Sequence, residues 1–312
     1  MSKISNFPIM FYAVIMGLGG LSAAYMRLND VLKINDSINA ILAGLTSVIF
    51  VIITLFYLVK IIMYPKDVAA ELNHPIKINF FAAFAISLLL LAFIFQANES
   101  AHFMLFWAGL LIQTFLSFYV IASWINRNLE IKHSNPAWFI PVVGNLLIII
   151  SAKANDGYLW FYFSFGMFFY VVLFSIIFYR ILFHEQLPAK FMPTLFIFIA
   201  PPSIGFIDYI KLTGNFDAFG ILLLNLAIFF GILVLFMYKN FLKLKFFLSW
   251  WAFTFPTAAL SLALLKAYEI TGDWGFIAGS VAAFIALCII VAIVAFFTTI
   301  SIIKGDICVA ES

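Results

Sequence analysis

Long apolar runs separated by short polar connections extend along the whole chain. A helix of about 20 apolar residues crosses the hydrocarbon core of a bilayer, and ten of the runs approach or exceed this length. The connections are too short for a soluble domain, so the pattern predicts a single transmembrane domain of the all-α class over residues 1–312. We number the predicted spans 1 to 10, at residues 7–28, 38–63, 76–96, 101–125, 136–152, 158–183, 192–210, 217–238, 246–268 and 274–303.

Composition supports an integral membrane protein. Of the 312 residues, 65% are hydrophobic and 10% are charged, and the mean hydropathy is +1.13. Soluble domains carry about 25% charged residues. The formal net charge is only +3, so no nucleic-acid surface is indicated.

The distribution of Lys and Arg predicts the orientation. If the amino terminus is cytoplasmic, twelve of these residues fall on the inner side of the membrane and five on the outer side. Cytoplasmic connections normally carry the excess of positive residues. We therefore predict that both termini are cytoplasmic. The five outer residues are Arg27, Lys33, Lys153, Lys211 and Lys266.

Proline separates the spans into two classes. All eight prolines associated with spans fall on odd-numbered spans: Pro8, Pro75, Pro136, Pro141, Pro193, Pro201, Pro202 and Pro256. Proline breaks or kinks a helix, and the carbonyls that it frees must face protein or water rather than lipid. Gly17 and Gly19 loosen span 1 in a comparable way. We predict five helical hairpins, with kinked odd spans around a central pore and regular even spans against lipid.

Phe255 lies immediately before Pro256, in the middle of span 9. A broken span with a bulky apolar ring at the break is typical of a pore with a plug. The alternative is a kinked helix with an ordinary core phenylalanine. The sequence leaves both interpretations open.

Few polar groups lie within the spans. Lys266 either extends to the outer interface or draws anions to the outer mouth, and Asp208 either pairs with it or caps its own helix. Asn145 either lines a pore or bonds a neighbouring helix. Hydroxyl dipoles are available from Ser22, Ser203 and Thr254. Since carboxylates are few, the pattern argues against a proton relay, and ion selectivity should be modest.

No motif indicates an enzyme. The four histidines are isolated, and no pair has metal-ligand spacing. Cys288 and Cys308 form no convincing disulfide or metal motif. We predict no catalytic residue, no metal and no cofactor.

Four stretches resemble the tellurite-resistance and C4-dicarboxylate transporter family, which includes bacterial TehA and the slow anion channels of plant guard cells. They are SWWAFTFPTAA (Ser249–Ala259), MPTLFIFIAPPSIGF (Met192–Phe206), NPAWFIPVVGN (Asn135–Asn145) and ELNHPIKINFF (Glu71–Phe81). The resemblance implies ten helices in five hairpins, a pore in each subunit of a homotrimer, and a gate at Phe255. Relatives often have proline where this chain has Ile15 and Ala85, which affects the expected shape of the inner half of the pore.

The leading hypothesis is a channel that conducts small anions passively and is closed at rest by Phe255. The expected location is the plasma membrane, which in a bacterium is the inner membrane. The alternative is a secondary transporter for C4-dicarboxylates such as malate, or a tellurite-resistance exporter. A carrier should have basic residues at mid-depth, and the sequence offers none there. The expected partners are inorganic or organic anions, the lipid bilayer and two further copies of the chain.

Overall fold

In the computed structural model, which describes residues 3–308, nine of the ten apolar runs form helices long and apolar enough to cross a membrane, and the remaining run forms the shorter apolar helix Pro136–Ser151. Within these residues every regular element is helical, which confirms the predicted all-α architecture. The odd spans are Ile9–Leu32, Lys77–Ile94, Pro136–Ser151, Ala189–Thr213 and Leu248–Thr271. The even spans are Asp36–Met63, Glu99–Asn126, Leu159–Phe183, Ala218–Phe236 and Trp274–Lys304. Span 5 is the shortest, and short helices at Pro65–Asn73 and Lys239–Leu242 lie in connections.

The odd spans differ from the even spans in their backbone. Every odd span begins as a 3-10 helix and continues as an α-helix, whereas every even span is a single α-helix. In spans 5 and 7 the change coincides with prolines in the first turn of the α-helix, where the missing N–H costs little. The 3-10 segments are Ile9–Phe11, Lys77–Phe81, Pro136–Phe139, Ala189–Ile199 and Leu248–Phe253.

Spans 1 and 3 adopt the same design without an internal proline. Ile15 lies in the continuous α-helix Tyr12–Leu32, and Ala85 lies in Ala82–Ile94. Both side chains are fully buried. The 3-10 beginnings of these two spans therefore do not depend on proline at those positions.

The five odd spans form a closed ring. Spans 1, 3, 5, 7 and 9 contact one another in that order, and span 9 returns to span 1. Each odd span also packs against the even span that follows it, which gives five hairpins. In the most apolar window of spans 1, 3, 7 and 9, 78–83% of residues are buried, against 22–39% in the even spans. The even spans thus form the outer layer that faces lipid.

Asn and Asp residues begin four of the even spans. The side chains of Asn35, Asn98, Asp217 and Asp273 accept hydrogen bonds from backbone N–H groups of the first helical turn. These N–H groups have no partner inside the helix, so the caps stabilise the tight turns of the hairpins. The Tyr209 hydroxyl also donates to Asp217, and this bond, together with the capping N–H groups, lowers the pKa of Asp217.

Both ends of the described chain lie on the same face of the protein. A Cβ added to Gly305 would lie 3.3 Å from Nζ of Lys3. We call this face the inner face and the opposite face the outer face. An even number of spans requires this arrangement, and the excess of Lys and Arg predicts that the inner face is cytoplasmic.

Labelling of single cysteines should establish this orientation. In a variant without Cys288 and Cys308, we expect an impermeant maleimide added to intact cells to label Asn155→Cys and to miss Lys243→Cys. Asn155 lies between spans 5 and 6, and Lys243 lies between spans 8 and 9. The reverse labelling pattern would place both termini outside the cell.

A buried ion pair holds three segments together at the inner face. Nζ of Lys60 lies 3.1 Å from Oε2 of Glu71, and the two side chains are only 2% and 9% exposed. Lys60 also donates to the carbonyl of Phe7 (2.9 Å), and the Tyr57 hydroxyl donates to Glu71 (2.8 Å). The pair therefore joins span 2 and the helix Pro65–Asn73 to the segment that leads into span 1.

Candidate functional site

Two cavities lie along the ring of odd spans. The inner cavity has a volume of about 40 Å³, and the outer vestibule has a volume of about 570 Å³. All five odd spans contribute to each of them. Representative lining residues, one from each odd span in chain order, are Met16, Phe80, Val143, Ala200 and Phe255 for the inner cavity. For the outer vestibule they are Arg27, Phe93, Ile150, Lys211 and Lys266.

A closed layer separates the two cavities. On spans 5, 7 and 9, the last residue that lines the inner cavity and the first that lines the vestibule are six or seven positions apart. At 1.5 Å per residue, the separation is about 10 Å along these three spans and about 16–20 Å along spans 1 and 3, where it extends from Met16 to Arg27 and from Phe80 to Phe93. The residues on either side of the layer are Val143 and Ile150, Ala200 and Ile207, and Pro256 and Leu262.

Phe255 lies at the boundary between the inner cavity and the closed layer. Its side chain is 4% exposed and borders the inner cavity. A Cβ on Gly20 of span 1 would lie 3.4 Å from Cδ2 of Phe255, so the ring packs against a position without a side chain. Within the described residues the Phe255 ring forms no ring pair. Phe253, by contrast, packs against Phe196 (4.7 Å between ring centroids), Phe241 and Trp250.

Small residues bring span 1 against its neighbours at the same level. A Cβ on Gly17 would overlap the hydroxyl of Thr254 and the ring of Trp251, and one on Gly19 would lie 3.2 Å from Leu90. The α-helix of span 1 is continuous across both glycines. Their structural contribution is therefore close helix contact, which places span 1 beside the backbone that carries Phe255.

The described side chains that line the inner cavity offer no free hydrogen-bond donor to an anion. Of the described residues that line it, none is charged. The Thr194 hydroxyl donates to the carbonyl of Phe191 (2.6 Å) and the Ser249 hydroxyl to that of Lys190, while the Trp251 indole donates to Thr298 (3.0 Å). An anion in this cavity would lose water without gaining a replacement donor, which is costly.

The outer vestibule is basic. Arg27, Lys153, Lys211 and Lys266 line it, and Glu269 is the one acidic residue of its lining, so the lining carries an excess of three positive charges. Glu269 bridges two of the cations: its Oε1 lies 3.0 Å from Nη2 of Arg27, and its Oε2 lies 3.0 Å from Nζ of Lys266. Arg27 and Lys266 are therefore partly neutralised.

The other two lysines line the vestibule near the outer end of span 5. Nζ of Lys211 donates to the carbonyls of Ile149 (2.8 Å) and Ala152, and is thereby held at the vestibule wall. Lys153 follows Ala152 directly, is exposed, and has no hydrogen bond or ion pair within the described part of the chain. Neither lysine forms an ion pair with a described residue, although the buried Asp208 carboxyl interacts electrostatically with Lys211.

Comparison with known proteins identifies the family. A family model described as SLAC1, voltage-dependent anion channel, matches residues 6–300. The chain belongs to this family. SLAC1-family proteins are anion channels and transporters, which fits an axial path with a basic outer mouth.

Similar proteins come from plants, bacteria and archaea. The S-type anion channel SLAH3 of Arabidopsis thaliana is 30% identical over 84% of this chain and 43% of its own length. An uncharacterised transporter of Methanocaldococcus jannaschii is 27% identical over 87% of each chain. The tellurite resistance protein TehA homologue of Haemophilus influenzae is 22% identical over 96% of this chain and 92% of its own. The chain spans about half the length of the SLAH2 and SLAH3 plant channels.

Of the polar residues singled out from the sequence, Lys266 lines the vestibule and four others contact neither cavity. Asn145 donates to the hydroxyl of Ser117 on span 4 (2.9 Å), which is the neighbouring-helix alternative. The hydroxyls of Ser203 and Thr254 donate to carbonyls of their own span, and Ser22 is buried in span 1.

Asp208 follows neither of its two expected roles. It is fully buried, and neither carboxyl oxygen has a hydrogen-bond partner. The carboxylate that pairs with Lys266 is Glu269, at 3.0 Å. The spacing of Lys266 and Glu269, three residues apart near a helix end, is a sequence signal that could have identified this pair.

Proposed function

We propose that the protein is an anion channel, in which small anions move passively along the axis of the ring of odd spans and Phe255 closes the path at rest. The observation that carries this proposal is the pair of cavities lined by the same five spans, of which the inner one is bordered by Phe255 on span 9. Membership of the SLAC1 family supports anions as the permeating species.

The charge distribution favours anions over cations. Positive side chains around a low-dielectric opening raise the local concentration of anions and repel cations. Lys153 contributes most to this attraction, because Arg27 and Lys266 share Glu269 and Lys211 interacts with the buried Asp208 carboxyl. The apolar walls below supply no binding site that would hold an anion tightly.

Closure by Phe255 follows from the chemistry of its ring. A hydrophobic constriction excludes water, and an ion cannot enter without shedding its hydration shell. The benzene ring of Phe255 offers no donor in exchange. Movement of this ring away from Gly20, or its removal, would extend the inner cavity toward the outer vestibule.

A carrier is a weaker interpretation of the same geometry. A carrier for dicarboxylates needs basic groups at mid-depth, whereas the basic side chains here lie at the outer end and none lines the inner cavity. We also propose a cytoplasmic inner face, a plasma-membrane location and a homotrimer. The exposed apolar faces of the even spans leave room for contacts between copies.

Recordings from purified protein in planar bilayers test the proposed function. The parent is closed at rest, so the recordings use the Phe255→Ala protein; with unequal chloride concentrations across the membrane, we expect current steps whose reversal potential follows the chloride gradient. A matched bilayer that received only detergent is the control. A reversal potential that follows the cation gradient, or anion exchange in vesicles without any current steps, would overturn the proposal.

A further inference from the structure

The outer vestibule has more positive charge and more room than passage of a small monovalent anion requires. Its four basic side chains come from spans 1, 5, 7 and 9 or their outer ends, and they surround a volume of about 570 Å³. Glu269 compensates one of these charges, and Asp30 pairs with Arg27 on a side that does not line the cavity (2.9 Å). Lys153 and Lys211 form no ion pair with a described residue, and only Lys211 has a buried carboxyl, that of Asp208, that offsets part of its charge.

These two lysines supply donors of the kind that an oxyanion accepts. An ammonium group has three N–H donors. Lys211 uses two of them on the carbonyls of Ile149 and Ala152, so one remains, while all three of Lys153 remain. Charge-assisted hydrogen bonds from such groups to anionic oxygens are among the strongest in proteins.

We propose that the outer vestibule is a binding site for a divalent oxyanion, such as sulfate or hydrogen phosphate, which occupies the vestibule without passing the closed layer. This inference rests on the proposed function in one respect: the bound oxyanion would compete with the anions that permeate. The cost of desolvating an ion rises with the square of its charge, so a divalent anion is excluded from an apolar path more strongly than a monovalent one.

The inner cavity reinforces this exclusion. Its volume of about 40 Å³ leaves room for only a few water molecules. The hydroxyls of Thr194 and Ser249 are already committed to backbone carbonyls. A divalent oxyanion would thus be attracted to the outer end of the axis and stopped there.

Thermal unfolding of purified protein tests binding without any current. Potassium sulfate should raise the unfolding midpoint more than potassium chloride of equal ionic strength, because a ligand of the folded state stabilises it. Sulfate also stabilises proteins in general, so the informative quantity is the difference between variants. Lys153→Gln should weaken apparent sulfate affinity about fivefold to tenfold at low salt, since one charge a few Å from a divalent anion is lost.

Glu269→Gln provides the opposite change. It removes the acidic group that bridges Arg27 and Lys266, and we expect it to strengthen sulfate affinity by about the same factor. A gain of affinity cannot arise from misfolding. Lys33→Gln is the matched control, because Lys33 is an exposed lysine just beyond the outer end of span 1 that does not line the vestibule.

Block of chloride current completes the test. In a conducting Phe255→Ala protein, sulfate in the outer chamber should reduce the current, with the same order of potency: Glu269→Gln, then parent and Lys33→Gln, then Lys153→Gln. Equal sulfate effects in all four proteins, in both assays, would overturn the site and leave the proposed channel intact. If Phe255→Ala conducts nothing, the unfolding series still decides whether sulfate binds.

Discussion

Replacing Phe255 by alanine is expected to turn a closed protein into one with a large anion current. The ring borders the inner cavity, packs against Gly20 and forms no ring pair within the described residues, so its removal extends the cavity outward. Lowering the barrier by only about 1.4 kcal/mol raises a rate tenfold. We therefore expect the chloride current in planar bilayers to rise at least about tenfold at the same protein amount.

The matched control is Phe253→Ala, two residues earlier in the same span. Phe253 packs within a cluster of Phe196, Phe241 and Trp250 and does not line the inner cavity. Its truncation should lower the unfolding midpoint, as core Phe→Ala changes costing ~3–5 kcal/mol do, without opening the path. A Phe255→Ala protein that is folded and yet as silent as the parent would show that Phe255 is an ordinary core residue.

The sequence predicted the architecture well because one constraint dominates it. Lipid tolerates no unpaired backbone group, so irregular helices had to lie inside, and the prolines marked three of them directly. Spans 5, 7 and 9 change from 3-10 to α-helix beside Pro141, Pro201 with Pro202, and Pro256. In spans 1 and 3 the prolines, Pro8 and Pro75, precede the 3-10 segment, and no proline marks the change to α-helix, so Ile15 and Ala85 gave no indication of it.

The candidate site was only partly predictable. Phe255 was identifiable because it precedes a proline, and Lys266 because it is a charged residue near the end of a span. The hydroxyls of Ser203 and Thr254 could not be assigned from sequence, since serine and threonine in helices commonly bond a carbonyl of the preceding turn. Asn145 bonds Ser117, 28 positions earlier, a contact that only the packing of spans 4 and 5 creates.

Long-range contacts between charges were equally invisible in the sequence. The prediction of orientation included Lys60 among the twelve basic residues of the inner side, as if it were an exposed residue of a connection between spans. The structure instead buries it against Glu71 and the carbonyl of Phe7, 53 positions away. The same holds for Arg27 and Glu269, which are 242 positions apart and meet at the vestibule because span 9 closes the ring on span 1.

Breaking the buried pair is expected to have the largest effect on stability. Glu71→Gln would leave the Lys60 ammonium, 2% exposed, without its counter-charge. Removing one partner of a buried ion pair typically costs ~3–5 kcal/mol, which corresponds to a fall of roughly 5–10 °C in the unfolding midpoint. Tyr57 would also lose its carboxylate acceptor. Thermal unfolding of the detergent-purified protein measures the change.

Two further variants test whether the loss of stability arises because the ion pair is buried. Glu130→Gln removes a carboxylate that pairs with Lys132 at 2.7 Å, but both side chains are more than 60% exposed, so we expect no measurable change. Lys60→Met combined with Glu71→Leu removes both charges and should recover much of the lost stability, because no unpaired charge then remains buried. Equal midpoints for Glu71→Gln and Glu130→Gln would mean that the Lys60–Glu71 contact contributes nothing to holding the segment before span 1 in place.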